Sequence, residues 1–436
     1  MKKTLVALAA AAAISPAAFA GDVSWGGDAN VEGFMNRVEG EDDTVSDARG
    51  YTNRIRLKGT FKTDGNVSVN TRLILNDSAW TGDSHSGVEG VYQNSGNDAV
   101  AVDYGFIQAP IAGWTFRFGR QVANWANCFL TCDDRRDRIL AMKRFGSTTL
   151  ILLNDKRNGG VTPDGTFGMY LLGDPTNEES AGPTGEGDLY TAAAVGVIKG
   201  WQWGLLLGKW IGEEGYLLDE VYAISPFVKG KAGNVKLEGA INILGGGEDD
   251  WAAFRDTAIS AYIKAGIEVS SINLEAQAVI VDGGGLIAPG FDTFTMFINN
   301  NPDNNLSNVS QFNLGGLGRL PEVNELNTLY TILGDASKAA EYSEYGQVRD
   351  QVMLGFRASG KINKFGWKAS TTYTTSEINE FDVSWDIFTL EGGVTYAVSK
   401  TTELYANAGI ASVSWDDDAD EDTDHKAATV GINTTF

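Results

Sequence analysis

The chain has 436 residues, with 34 Lys+Arg against 57 Asp+Glu and a formal net charge of −23. That acidic balance excludes a nucleic-acid-binding role, which needs clustered basic residues. Glycine is abundant at 53 and proline sparse at 9, while a mean hydropathy of −0.16 gives no bulk sign of helical membrane spans.

Residues 1–20 read as a secretory signal peptide. Lys2 and Lys3 precede an apolar run from Thr4 to Ile14, and Ala18-Phe19-Ala20 supplies a small-x-small cleavage site. Export is expected to leave a mature chain of 21–436. Beyond the signal no apolar stretch approaches the ~20 residues of a spanning helix. Alternating segments separated by turns run along the chain instead: 24–38, 51–62, 67–76, 100–109, 114–120, 143–153, 166–173, 189–199 and 201–211. The series continues through 221–231, 234–244, 256–269, 271–281, 351–361, 365–376, 387–398, 402–414 and 425–436. Short connections such as Lys199-Gly200 and Asn363-Lys364 alternate with long ones such as 174–188, as tight turns at one rim and loops at the other require.

Within 51–62, Tyr51, Ile55, Leu57 and Phe61 share one face and Arg54, Arg56, Lys58 and Lys62 the other. Charged side chains at membrane depth should face water, because lipid-facing Arg or Lys costs ~2–4 kcal/mol near the midplane. Arg54, Arg56 and Lys58 are therefore expected to form a basic ladder inside a lumen. Arg72 and Arg117 follow the same rule, as do Arg357, Lys361 and Lys368 on distant segments. Cys128 and Cys132 lie four residues apart in an exported chain; a disulfide is expected, with two free thiols as the alternative.

Residues 282–350 break the alternation and predict a long external loop, with short helices at 321–333 and 335–345. Aromatic residues near segment ends, among them Trp114, Trp201, Trp203, Phe365, Trp367 and Trp415, suit interfacial girdles. Trp80, Trp125 and Trp251 have no orientation from parity. Asp416, Asp418 and Asp420 match the opening ligands of a calcium loop, but Glu421 and Ala427 stand where that loop needs glycine and glutamate. Weak Ca2+ binding at acidic surface loops is the remaining cofactor expectation. His85 and His425 are expected to be solvated, and with no Gly-x-Ser-x-Gly elbow or metal motif the chain is not expected to be an enzyme. The last segment alternates again, Ala428, Val430, Ile432, Thr434 and Phe436 against Thr429, Gly431, Asn433 and Thr435.

A bilayer protein crossing with strands must close on itself, since an open sheet leaves backbone groups unpaired in hydrocarbon. The expected fold is all-β: a closed antiparallel transmembrane β-barrel of 18 strands, with 16 as the alternative count.

The run Arg117-Phe118-Gly119-Arg120-Gln121, the signal, the adjoining hairpin and the terminal Phe436 together resemble the bacterial general porins. In that family the loop following such a strand folds inward and narrows the pore. The resemblance implies a constriction loop over 122–142, with Asp133, Asp134 and Asp137 facing Arg54, Arg56, Arg72 and Arg117. Two departures stand out: Arg135, Arg136 and Arg138 make the loop less acidic, and it carries the cysteine pair. A net basic waist would favour anions. The family further implies passive diffusion of small hydrophilic solutes and ions, a homotrimer, and an outer-membrane setting beside lipopolysaccharide. A substrate-specific channel, or a surface-structural or partner-sheathing barrel, is the alternative; the first of these predicts aromatic residues along the lumen.

Overall fold

The computed structural model describes residues 22–40, 45–63, 65–79, 100–158, 186–212, 220–246, 257–288, 290–298, 314, 317, 350–378, 383–416 and 422–436. The signal segment 1–20, the proposed helices at 321–333 and 335–345, His85, Trp80 and Trp251 lie outside them.

Eighteen antiparallel strands form the sheet. They are β1 (Val23–Gly40), β2 (Val45–Lys62), β3 (Ser68–Ala79), β4 (Ala101–Ile111), β5 (Trp114–Trp125) and β6 (Thr131–Phe145). The middle third comprises β7 (Thr148–Asn158), β8 (Glu186–Ile198), β9 (Trp201–Gly212), β10 (Tyr222–Ala232), β11 (Val235–Gly245) and β12 (Thr257–Val269). The last are β13 (Ile272–Asp282), β14 (Asp350–Ile362), β15 (Phe365–Ile378), β16 (Val383–Ala397), β17 (Thr402–Trp415) and β18 (Thr423–Thr435). Each strand pairs with its sequence neighbours, and β1 pairs with β18 from Asp28↔Thr435 to Gly40↔Thr423, so the sheet has no edge. Closure removes the unpaired backbone row that hydrocarbon would not tolerate.

The two-residue period decides which side chains meet lipid. On β14, Val352, Leu354 and Phe356 are exposed outward while Gln351, Met353 and Gly355 turn inward. On β16, Phe388, Leu390 and Val394 face outward and Trp385, Ile387, Thr389 and Glu391 inward. The same alternation around the whole cylinder makes an apolar belt, the arrangement that places this chain as a multi-pass barrel in the outer membrane. Tight turns close one rim. Ala112-Gly113 and Lys199-Gly200 both have two consecutive positive φ angles (52° and 78°, 50° and 84°), the backbone twist that suits a two-residue hairpin between twisted strands.

The strand total matches expectation, but two assignments behind it compensate. Segment 166–173 lies outside the described residues, and the eighteenth strand is β6, most of which falls within the expected loop 122–142. The expected loop at 122–142 is corrected accordingly: β5 continues to Trp125, β6 begins at Thr131, and only 126–130 form a turn. The reason is cross-strand pairing, Gly119↔Arg138 through Ala123↔Asp134, which gives the charged residues strand partners that local composition does not reveal. Two further corrections concern orientation. Trp415 belongs to no lipid girdle; it packs inside against Trp385, ring centroids 5.1 Å apart. His425 is not solvated; it is buried on the inward face of β18, its ring 3.0 Å from the Thr423 hydroxyl.

Candidate functional site: a narrowed lumen between two unlike walls

One wall of the lumen is built by β1 to β7 and carries the expected basic residues. Arg54 and Arg72 are buried and Arg56 nearly so, all on the inward parity of their strands, while Lys58 is half exposed. Their counter-charges come from neighbouring strands. Asp28 on β1 accepts from Arg56 Nε at 2.7 Å and lies 3.3 Å from Lys58 Nζ. Asp103 on β4 is shared by Arg72 on β3 and Arg135 on β6, the latter at 2.6 Å. Asp155 on β7 accepts two bonds from Arg138, at 2.5 and 2.7 Å, and lies 3.5 Å from Arg136.

Irregular register makes this sharing possible. Pairing shifts between Arg72 and Leu73, so Leu73 pairs with Val102 and Arg72 with Tyr104, leaving Asp103 as an extra residue. A bulge re-aims a side chain in this way; Asp103 points inward beside Tyr104, whose ring lies 5.0 Å beneath the Arg72 guanidinium. Arg117 stands differently. It donates to the neutral amide oxygen of Gln108 at 2.8 Å and sits over the Phe106 ring at 5.2 Å, with no carboxylate partner among the described residues.

The predicted confrontation of loop carboxylates with a basic wall is therefore corrected. Asp133 and Asp134 pair with Arg135 and Arg136 of their own strand. Asp137 pairs in register with Arg120 and shares the outward parity of exposed Ile139. Arg135, Arg136 and Arg138 extend the ladder instead of opposing it.

The opposite wall, β10 to β17, holds segments that fold into the lumen. The turn between β5 and β6 reaches across to it. Trp125 Nε1 donates to the Ser225 carbonyl at 3.0 Å and its ring meets Phe227 edge-on at 5.3 Å. Gly204 makes the room for Phe227, since a Cβ there would come within 2.1 Å of that ring. Phe129, fully buried, packs on Tyr262 and Phe291 with centroids 4.6 and 4.9 Å away. Cys128 and Cys132 flank it with sulfurs 2.07 Å apart and Cα atoms 4.3 Å apart.

The described part of the long connection after β13 joins the same cluster. Asn242 Nδ2 donates to the Leu286 carbonyl at 2.9 Å, Ser260 Oγ donates to that carbonyl at 2.7 Å, and Ala288 N–H donates to the Phe129 carbonyl at 3.0 Å. Further on, Met296 N–H donates to Glu391 Oε1 at 2.5 Å, and Arg357 pairs with Asp292 at 2.9 Å while covering the Phe294 ring at 4.0 Å. Ile287, Phe297, Ile298, Leu314 and Leu317 are buried with them. Trp125, which parity could not orient, is thus a lumen residue, as are Trp385 and Trp415. Only residue type would have flagged this segment: its aromatic residues (Phe291, Phe294, Phe297) recur too often for a solvated loop.

No protein-family model and no curated protein sequence matches the chain. Similarity appears among solved structures. Pseudomonas aeruginosa OpdK with vanillate aligns over 95% of this chain and 99% of its own, with 10% identity and a TM-score of 0.56. P. aeruginosa OccK2 (OpdF) in complex with glucuronate covers 95% and 98%, at 10% identity and a TM-score of 0.56. Acinetobacter baumannii OccAB3 covers 95% and 100%, at 12% identity and a TM-score of 0.56. At these identities the likeness is one of fold, and it does not single out the general porins that the motifs resemble. The chain has the architecture of an eighteen-stranded outer-membrane β-barrel.

Proposed function

We propose that this barrel is a solute-selective channel of the outer membrane that passes small anionic solutes, in preference to the wide, general diffusion pore expected from its motifs. The observation that carries this reading is the waist itself. The 126–130 turn and the 286–298 segment are bonded to the β10–β17 wall, and what they face is the arginine wall. A wide pore needs neither a buried apolar cluster in its lumen nor aromatic residues there. A selective one uses both, because shape and fixed charge together discriminate among solutes.

Arg117 sets the sign. Among the described residues its charge meets a neutral amide and an aromatic ring but no carboxylate, so the arginine wall offers a guanidinium to a passing carboxylate, and Arg binds carboxylates with two parallel N–H···O bonds. That vanillate and glucuronate, both carboxylates, accompany two of the similar structures supports the same solute class. The Cys128–Cys132 bridge is part of this reading, as a brace on the turn that narrows the passage. So is the homotrimer of the porin resemblance, which the mass of the detergent-solubilised protein checks.

Single-channel recording in planar bilayers tests the proposal. Expected are a small conductance, a reversal potential of anion-selective sign under a KCl gradient, and reversible current block by vanillate or glucuronate. A large ohmic conductance with cation selectivity and no block would return the chain to the general-diffusion reading. Absence of enzymatic turnover is part of the same expectation.

A further inference from the structure

The arginine wall has a counterpart that the passage of monovalent solutes does not require. At the rim of tight turns, below the inward-folded segments, β9 to β13 enclose a cavity of about 690 Å³ lined by Lys199, Lys229, Lys231, Lys236, Lys264 and Glu238. Strand register puts Lys229, Lys231, Lys236, Lys264 and Glu238 on the inward face in two adjacent rows, and Lys199 lines the cavity from the turn between β8 and β9. In the upper row Lys229 pairs with Glu238 and Glu238 with Lys264, at 3.3 and 3.2 Å, an alternation of sign that is internally matched. The lower row is not matched. Lys231 and Lys236 are direct register partners, Gly266 follows with no side chain, and Glu275 beyond it is held by Arg357 at 2.8 Å.

Like charges directly opposite one another on a sheet are destabilising. Lys199, Lys231 and Lys236 have no carboxylate partner among the described residues, and Glu238 and Glu275 are already taken up by other cations. Gly266 lines the same cavity without a side chain, and a Cβ there would come within 3.4 Å of the Glu275 side chain.

From this placement we infer a binding site for a multivalent oxyanion at the periplasmic exit, held by Lys199, Lys231 and Lys236 in the cavity that Gly266 also lines. It deepens the anion-channel reading and rests on it for how the ligand arrives, but the binding itself needs no conduction. The ligand class is a small di- or trianion, a phosphate ester or polycarboxylate. Three ammonium groups lining one cavity neutralise several negative charges, whereas a single Arg117 answers one. The site also touches the waist: Glu238 accepts from the Tyr262 hydroxyl at 2.9 Å, and that hydroxyl accepts from Asn127 Nδ2 of the turn at 3.4 Å. A trianion drawing Lys229 and Lys264 off Glu238 would therefore act on the turn that narrows the passage.

The experiment is calorimetric titration of the full-length protein, solubilised in detergent at low salt, with inorganic pyrophosphate as the probe. The expected result is saturable binding at one site per chain, weakened at least tenfold in Lys231→Gln/Lys236→Gln and in Gly266→Leu, which fills that part of the cavity without changing charge. Arg117→Gln should leave pyrophosphate binding unchanged while lowering anion selectivity in bilayers. Acetate, with one charge, should bind at least tenfold more weakly than pyrophosphate. Absence of saturable pyrophosphate binding, or binding equal in all these variants, overturns the site. A channel that conducts without anion preference yet binds pyrophosphate in this lysine-dependent way would overturn the waist reading alone.

Discussion

The two walls of the lumen hold their polar groups by different means. On β1 to β7 the bonds stay within this group of strands: Asp28 to Arg56, Asp103 to Arg72 next door and Arg135 two strands away, Asp155 to Arg138. On β10 to β17 the bonds run to segments far away in sequence, as when Trp125 meets Ser225 and Met296 meets Glu391. The first wall is a charged surface fixed by register, able to present guanidinium groups without movement. The second is an apolar socket whose occupants set how much of the lumen stays open. Selectivity of sign should therefore reside in one wall and selectivity of size in the other.

Substitutions that act on one wall alone break or sharpen that division. Phe129→Ala should have the largest effect, because removing a fully buried aromatic ring costs ~3–5 kcal/mol and here that loss loosens the turn from its socket. The expected outcome is a conductance raised severalfold with the sign of selectivity kept; an unchanged conductance would mean that the turn does not limit flow. Asp103→Asn comes next. It leaves Arg72 and Arg135 buried without their shared carboxylate, a loss of about 3–5 kcal/mol for a broken buried pair. It should lower the thermal unfolding temperature and leave conductance nearly unchanged.

Arg117→Gln removes a charge that no carboxylate among the described residues matches, so stability should barely move while the anion-to-cation permeability ratio falls two- to threefold by reversal potential. Reduction of the Cys128–Cys132 bridge opens a loop of only a few residues, worth about 2 kcal/mol on the loop-entropy scale. It should raise open-channel noise more than mean current. Smallest of all is Asp137→Asn: an exposed, outward residue without an ion-pair partner in the structure should shift stability by under ~0.5 kcal/mol and selectivity not at all. A clear selectivity change there would revive the acidic-loop reading.

Legibility in the sequence followed the same division. The two-residue alternation is local, so Arg54, Arg56, Arg72 and Arg117 could be assigned inward from their own strands. Partners could not be, because Asp103 faces inward only through a register shift that depends on β3 and β4 together. Residues 131–145 hid as a strand because Asp133 to Arg138 is a run of charges, with alternation resuming only at Ile139. The inward path of 286–298 depends on contacts with β11, β12, β15 and β16 and leaves no periodic trace. Parity does put Trp415 with Ala411 and Val413, and His425 with Thr429, on the inward face; their burial there depends on packing between strands that no local pattern shows.

The seam between the first and last strands has a temporal meaning. Gly27 and Phe436 exchange both backbone hydrogen bonds, N–H to carbonyl at 2.8 and 3.0 Å, so the final residue of the chain pairs near its beginning. Until β18 is in place, β1 is an unsatisfied edge, because its pairing from Asp28↔Thr435 to Gly40↔Thr423 comes from that strand. Contacts of such sequence separation form slowly. An open β1 edge is a template for pairing with any other strand, so closing the ring also removes the site at which the chain would aggregate.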